Sequence, residues 1–316
     1  MLGCKYPIIV GTMANITTPE FVAACSNAGA CAVLASANYK TPEELREAIR
    51  KTQSLTKEPF AVNINLFPAL MPQDKLEDYV EATLDEDAKI IETSGHKAPE
   101  HLVPKFKQGG AIWIHKCAGV RYAKKGASLG ADIITVVGYE NGGATGILDI
   151  GSLVMAPSVV DALDIPVIAG GGVTDGRGVA AILALGAEGV IMGTRMLATK
   201  ECPIHDNLKK ALVQACETDT SLVMRSIKNT HRVWRNKAAE QIIELELQKA
   251  PLQQIVQVAS GQNALKMYRE GDLGVGMVSC GQGVGLVKDI PTVKELLDRI
   301  IKEAEEVIQK LGNISK

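Results

Sequence analysis

The chain has 316 residues, 46% hydrophobic and 22% charged, with 34 Lys+Arg against 36 Asp+Glu for a net charge of −2. That length fits one large α/β domain or two ordinary ones, and it can bury enough surface to hold a core without disulfides or metal. The balanced charge argues against a nucleic-acid-binding protein, which shows a basic excess or stripe, and no apolar run approaches the roughly 20 residues of a membrane span.

The start, MLGCKYPIIVGTM, lacks the long apolar core of a signal peptide, so the chain reads as cytoplasmic. The first two thirds repeat one unit: a short apolar run ending in Gly, Ala, Ser or Asn, a polar loop, then an amphipathic helical stretch. Strands are predicted near Tyr6–Gly11, Cys31–Ser36, Phe60–Asn65, Lys89–Thr93, Ala111–Lys116, Asp132–Val137, Pro166–Gly170 and Gly189–Gly193. Helices are predicted between them, including Pro19–Ala28 after Thr18, Pro42–Lys51 after Thr41, and Arg177–Leu185. Thr-Pro is a good helix start, a capping hydroxyl followed by proline at the first helical position. Runs that are apolar on both faces suit buried parallel strands, and eight such units predict an α/β fold, a (β/α)8 TIM barrel.

After Thr194 the rhythm changes. Residues 203–260 read as mostly helical with little strand signal, Gly271–Gly285 is glycine-rich, and Pro291–Leu311 reads as a terminal amphipathic helix. The simplest organisation is a barrel over 1–200 plus 285–316, with 201–284 a mainly helical region folded over the catalytic mouth. An independent second domain is the alternative. The seven cysteines contain no C-x-x-C and read as free, mostly buried thiols, so no metal site is expected.

The strongest chemical signal is Ala169-Gly-Gly-Gly-Val-Thr-Asp-Gly-Arg-Gly178, which follows a strand and opens a helix. Glycines let backbone N–H groups approach an anion, and a helix N-terminus adds partial positive charge. Met192-Gly193-Thr194-Arg195 ends the next strand, and loops after barrel strands seven and eight often form a phosphate site together. Tight turns alone are the plainer reading of these glycines. There is no P-loop lysine and no Rossmann fingerprint opening the chain.

On the third predicted strand, alternation places Asn63 and Asn65 with Ala61 on one face, at the barrel's upper rim. An amide donates and accepts, which suits a heteroaromatic ring; the plainer reading is strand-end turn residues. On the fifth, Ile112, Ile114 and Lys116 share a face. If that face is interior, Lys116 enters the mouth, where a fixed cation stabilises negative charge on a reduced cofactor. An ordinary solvated lysine is the alternative, and His115, on the other face, reads as a core histidine.

The loop Gly138–Gly146 has four glycines in nine residues, with Tyr139, Glu140, Asn141 and Thr145 its hydrogen-bonding side chains. It reads as backbone packed against something flat, or as a surface loop. Met13, in Gly11-Thr-Met-Ala-Asn15, suits a ring edge or ordinary packing. His205 is either catalytic or opens a helix. His231, in a basic stretch with Arg225, Lys228, Arg232 and Arg235, reads as part of a solvated helix face, although that stretch could attract a phosphate-rich cosubstrate.

Taken together, Pro7–Asn15, Phe60–Leu66, Ile114–Arg121, Gly138–Gly146, Pro166–Gly178, Gly189–His205 and Gly271–Leu286 resemble the nitronate monooxygenase (2-nitropropane dioxygenase) family of FMN-dependent barrel enzymes. That family also includes FMN-dependent enoyl-acyl-carrier-protein reductases and NADH:quinone reductases. The stretch Met192–His205, His115-Lys-Cys117 and Met224-Arg-Ser-Ile-Lys-Asn229 are most similar to the quinone reductase branch. The resemblance implies FMN across the C-terminal mouth. Gly170, Gly171, Gly172, Gly193 and Thr194 would hold its phosphate, and Met13, Asn63, Lys116 and Gly142 its ring, with Gly138 and Met192 completing the set.

One departure matters. Family members usually carry a histidine in the loop after strand six, and Ala144 stands there. Alanine cannot act as a base, which puts proton abstraction from a neutral nitroalkane in doubt; an anionic nitronate needs no base, nor does hydride transfer from NADH or NADPH. Lys116, Tyr139 and Glu140 are the remaining catalytic candidates, the latter two as replacements for the lost acid.

The expectation is an FMN-dependent oxidoreductase passing a hydride from NADH or NADPH to a small organic acceptor, a quinone or an activated alkene such as an enoyl thioester. Nitronate oxidation with O2 is the alternative. A flavin-binding barrel without redox turnover and a Schiff-base aldolase through Lys116 are further readings. A small-molecule substrate is expected, with neither nucleic acid nor membrane as partner; a homodimer is compatible with this reading.

Overall fold

The computed structural model describes residues 1–67, 73–95 and 97–313. The short apolar runs become eight parallel strands: β1 Ile8–Val10, β2 Cys31–Ala35, β3 Phe60–Asn65, β4 Ile90–Ser94, β5 Ile112–Cys117, β6 Ile133–Val137, and, after a two-residue strand β7 Gly143–Ala144, β8 Val167–Gly170 and β9 Gly189–Met192. They close in the order β1-β2-β3-β4-β5-β6-β8-β9, with β1 paired back to β9 through Ile9↔Ile191. The chain therefore folds as a (β/α)8 barrel. Each strand lies within two residues of its predicted position at either end.

Register decides what fills the cylinder. Paired residues of parallel neighbours share a face, so Val33↔Ala61, Ile90↔Ile112, Ile114↔Ile133 and Ile168↔Gly189 define interior layers. Ile9, Val33, Ala61, Ile114, Ile168 and Ile191 form one buried cluster. One step toward the C-terminal ends, the same face turns polar: Asn63 pairs with Glu92, and Lys116 with Thr135. The barrel is dry below and polar at its mouth.

Helices cover the outside. Pro42–Leu55 starts at Thr41, whose hydroxyl accepts the N–H of Glu44. Thr18 holds the corresponding position before Pro19–Asn27, but its hydroxyl makes no capping bond. The terminal helix Val293–Leu311 opens with a capping box between Thr292 and Glu295. It lies against the helix Gly176–Ala184, where a Cβ on Gly176 would stand 2.5 Å from the Ile300 carbonyl oxygen.

Residues 201–284 correct the expectation of little strand. Helices Asp206–Gln214, Lys237–Leu247, Leu252–Val258 and Gly261–Glu270 are joined by a β-hairpin, β10 Thr220–Val223 and β11 His231–Trp234. Strand β11 also pairs antiparallel with β7, through His231↔Ala144 and Arg232↔Gly143. This small sheet ties the 201–284 segment to the barrel loop after β6. His231 thus lies on a strand, not on a solvated helix face. Among the described residues no helix is long and apolar enough to cross a membrane.

Candidate functional site

The C-terminal ends of β8 and β9 form the first wall. An added Cβ on Gly170 would lie 2.4 Å from the Ile191 carbonyl oxygen, so only glycine allows these strand ends to approach. Gly171 and Gly172 follow at φ +102° and +74°, a region glycine occupies without strain. Among the described residues, the N–H groups of Gly171 and Gly172 have no hydrogen-bond partner in the protein. They are the donors an anion would use.

The helix that follows does not share this task, which corrects the expectation from its N-terminus. Asp175 accepts from the N–H groups of Arg177 and Gly178 at 3.0 and 3.2 Å, and Glu303 accepts from Gly176 N–H at 3.0 Å. Two carboxylates already occupy its first turn. The second half of the wall is Gly193–Thr194. A Cβ on Gly193 would meet nothing nearer than Met13 Sδ at 3.9 Å, so the space before it is open and Met13 borders it. Thr194 Oγ1 accepts from Gly281 N–H at 2.8 Å. Met192 is buried at the end of β9, its carbonyl accepting Gly11 N–H at 2.9 Å.

The floor is a polar layer that the sequence reading found only in part. Asn63 is fully buried; its Nδ2 donates to Glu92 Oε1 at 2.7 Å and to Ser94 Oγ at 3.1 Å. Glu92 Oε1 also accepts from Thr12 Oγ1 at 2.9 Å. Three buried atoms of this layer, Asn63 Oδ1, Glu92 Oε2 and Thr135 Oγ1, have no partner. Glu92, Thr12 and Thr135 were missed; the interior register of β4, with Glu92 between Ile90 and Ser94, is the signal that could have found Glu92. Asn65 stands apart, its Oδ1 accepting Phe67 N–H at 2.9 Å, the strand-end turn reading.

Lys116 enters the mouth from β5 half-buried, and its ammonium makes no ion pair or hydrogen bond among the described residues. It lines a cavity of about 200 Å³ with Ser94, Cys117, Val137, Ala144 and the β10–β11 turn. His115 faces away. Its Nδ1 lies 2.9 Å from Thr93 Oγ1, its ring packs by Trp113, and burial pushes its pKa down to about 4. It is a neutral core histidine. His205 opens the helix Asp206–Gln214, its Nδ1 accepting Asn207 N–H at 3.1 Å.

The loop after β6 is braced by protein. Both oxygens of Glu140 accept Ser152 N–H at 3.0 Å, and Ser152 Oγ lies 2.9 Å from Gly170 O. Glu140 therefore anchors the helix Ser152–Val160 beside the glycine turn. Tyr139 lies under the Arg232 guanidinium, 4.5 Å from ring centroid to Cζ, and its carbonyl accepts Arg232 Nε at 3.1 Å. The flat partner of the loop is another stretch of backbone. A Cβ on Gly142 would stand 2.7 Å from Gly281 N, and one on Gly138 2.2 Å from Ser152 Oγ. The structure thus brings together Met13, Asn63, Lys116, Gly170–Gly172, Gly193 and Thr194, and gives Tyr139 and Glu140 partners within the fold.

A family model described as nitronate monooxygenase matches residues 1–303. A Rhodococcus jostii protein named (3aS,4S,5R,7aS)-5-hydroxy-7a-methyl-1-oxo-octahydro-1H-indene-4-carboxyl-CoA dehydrogenase is 33% identical, over 99% of this chain and 96% of its own. A probable nitronate monooxygenase of Staphylococcus saprophyticus is 28% identical over 98% of each chain. The solved structure of FabK from Thermotoga maritima superposes with a TM-score of 0.91 at 33% identity, covering 98% of this chain and 96% of that one. With the family model spanning nearly the whole sequence and the barrel closing as these relatives require, the chain belongs to the nitronate monooxygenase family.

Proposed function

We propose that the protein is an FMN-dependent oxidoreductase that takes a hydride from NADH or NADPH and delivers it to a small organic acceptor, an activated alkene such as an enoyl thioester or a quinone. The observation that carries this reading is one mouth holding two unsatisfied features of opposite use: free N–H groups at Gly171–Gly172 for a phosphate, and the unpaired ammonium of Lys116 for a ring that gains negative charge. The residues fit FMN. The glycine turns leave space for a phosphate, and the unpartnered Asn63 Oδ1, Glu92 Oε2 and Thr135 Oγ1 are acceptors for a polar ring or its ribityl hydroxyls. FMN supplies hydride acceptance and donation at one ring nitrogen. Lys116 would supply positive charge to it, Asn63 Oδ1 would accept a hydrogen bond from it, and Met13 would pack against it. Relatives named as carboxyl-CoA dehydrogenases support a thioester as the acceptor class.

The test is anaerobic mixing. A purified protein absorbing near 370 and 450 nm, roughly the bands of any oxidised flavin, should bleach with NADH or NADPH. Bleaching by a nitronate and by neither nucleotide overturns the reductase reading.

Nitronate oxidation with O2 is the second reading, supported by the family and by the cationic mouth, which suits an anion. Ala144 leaves neutral nitroalkanes without an imidazole at that loop. Its methyl is exposed, so Ala144→His has room. Turnover of neutral nitroalkanes should rise at least about tenfold, somewhat below the ~10²–10⁴ that an optimally placed acid–base group contributes. Unchanged turnover, measured against the matching nitronate, removes the idea that this imidazole is what limits the reaction.

A further inference from the structure

The cavity beside Lys116 has a one-sided charge. Its other described walls are Phe67, Tyr122, Val137, Ile147, Leu148 and small or neutral polar groups; among the described residues its charged lining is Lys116 and Lys228, with no carboxylate. Lys228, like Lys116, makes no ion pair among the described residues.

Lys228 is held there by a turn that works against its own backbone. Met224 and Lys228 both have positive φ, +59° and +56°, a conformation that L side chains adopt at a cost. The turn closes through Lys228 N–H to Arg225 O at 3.0 Å and Asn229 N–H to Met224 O at 3.1 Å. Glu246, from the helix Lys237–Leu247, braces it by accepting Met224 N–H and Ser226 N–H, each at 2.8 Å. Asp149 neutralises Arg225 at 2.7 Å. The two nearby acids are thus engaged, one with backbone and one with Arg225, and Lys228 keeps its charge free at the rim.

We propose that Lys228 is a specificity-determining residue for an anionic group on the substrate, and that the cavity takes molecules with an apolar body bearing a carboxylate, phosphate, sulfonate or nitronate. This rests on the oxidoreductase reading for what happens to the substrate, but binding can be measured without turnover. Strain at Met224 and Lys228, braced from a separate helix, fixes where the Lys228 side chain leaves the backbone, and among the described residues the cavity walls carry no acid to favour a cationic ligand.

The test is calorimetric titration of the purified protein, with whatever cofactor it carries, using p-toluenesulfonate and p-cresol. These share one ring and methyl group and differ in charge at pH 7. The wild type should bind the sulfonate about tenfold more tightly, the lower end of what a hydrogen bond to a charged group contributes. The preference should shrink with added salt. Lys228→Met should remove most of the sulfonate preference, leaving the part that Lys116 supplies, with p-cresol affinity unchanged, and Lys228→Arg should keep most of the preference. Equal affinity of the wild type for both probes overturns the proposal, as does a Lys228→Met protein that keeps the full wild-type preference for the sulfonate. A protein that discriminates the probes yet carries and binds no flavin would instead refute the oxidoreductase reading and leave the anion site standing.

Discussion

Lys116→Met is expected to slow anaerobic bleaching of the bound flavin by NADH or NADPH about 10²–10³-fold, the range seen when one fixed stabiliser of developing charge is removed. The size follows from the isolation of this ammonium. It stands half-buried beside Ser94 and Thr135 in the register, with no carboxylate within ion-pair distance among the described residues to damp its field. Methionine keeps most of the side-chain volume, so the cavity wall stays in place and only the charge leaves. FMN affinity should change by much less than the rate, because the proposed phosphate site, the glycine turns at β8 and β9, does not involve Lys116. Lys116→Arg, which keeps the charge but spreads it over a planar fork, should recover part of the rate. Stopped-flow bleaching within threefold of wild type for the methionine variant would mean that the cation is not acting on the flavin. Loss of flavin with no change in rate for the molecules that retain it would assign Lys116 to binding alone.

The barrel was legible because its strands are local. Each is a run apolar on both faces that ends in a small or polar residue, and that pattern marks a buried parallel strand wherever it occurs. The hairpin β10–β11 was not legible. Thr220-Ser-Leu-Val and His231-Arg-Val-Trp are four residues each, and β11 finds its second partner at Gly143–Ala144, far back in the chain. Four-residue strands are too short to show an alternation, and the pairing that ties β11 to the barrel loop lies too far away in sequence to leave a local signal. The same distance explains why Lys228 read as one cation among several on a helix face, when a braced turn sets it apart.

Within the site, Asn63 and Lys116 could be placed by alternation alone, since Ala61 and Ile114 fix which face is interior. Glu92 obeys the same alternation, but its importance comes from Thr12 and Asn63, on two other strand ends. The glycine turn was found for a reason only half right. Asp175, two residues before Arg177, is itself a recognisable helix cap, and a capped helix has fewer N–H groups to offer an anion.

Gly171→Ala and Gly193→Ala separate the two jobs that glycine does in this site. At Gly171 the backbone has φ +102°, and an added Cβ would lie 2.5 Å from Ser152 Oγ and 2.9 Å from Gly138 N. Alanine there is both strained and overpacked, each effect costing about 1–3 kcal/mol. The clash falls on the hydroxyl that links Glu140, Gly170 and Gly171, so the whole turn must shift. The Gly171→Ala protein should lose roughly 5 °C or more in Tm and its FMN together. At Gly193 the backbone φ is −134°, and a Cβ meets only Met13 Sδ, at 3.9 Å. That variant should fold with the Tm of the wild-type apoprotein and bind FMN at least tenfold more weakly, roughly what one misplaced contact costs, because the methyl enters the space proposed for the phosphate. Thermal scans of apoproteins and fluorescence titration with FMN read the two effects apart. If Gly193→Ala binds FMN as the wild type does, the phosphate does not lie before Gly193, and the cofactor must cross the mouth in another direction.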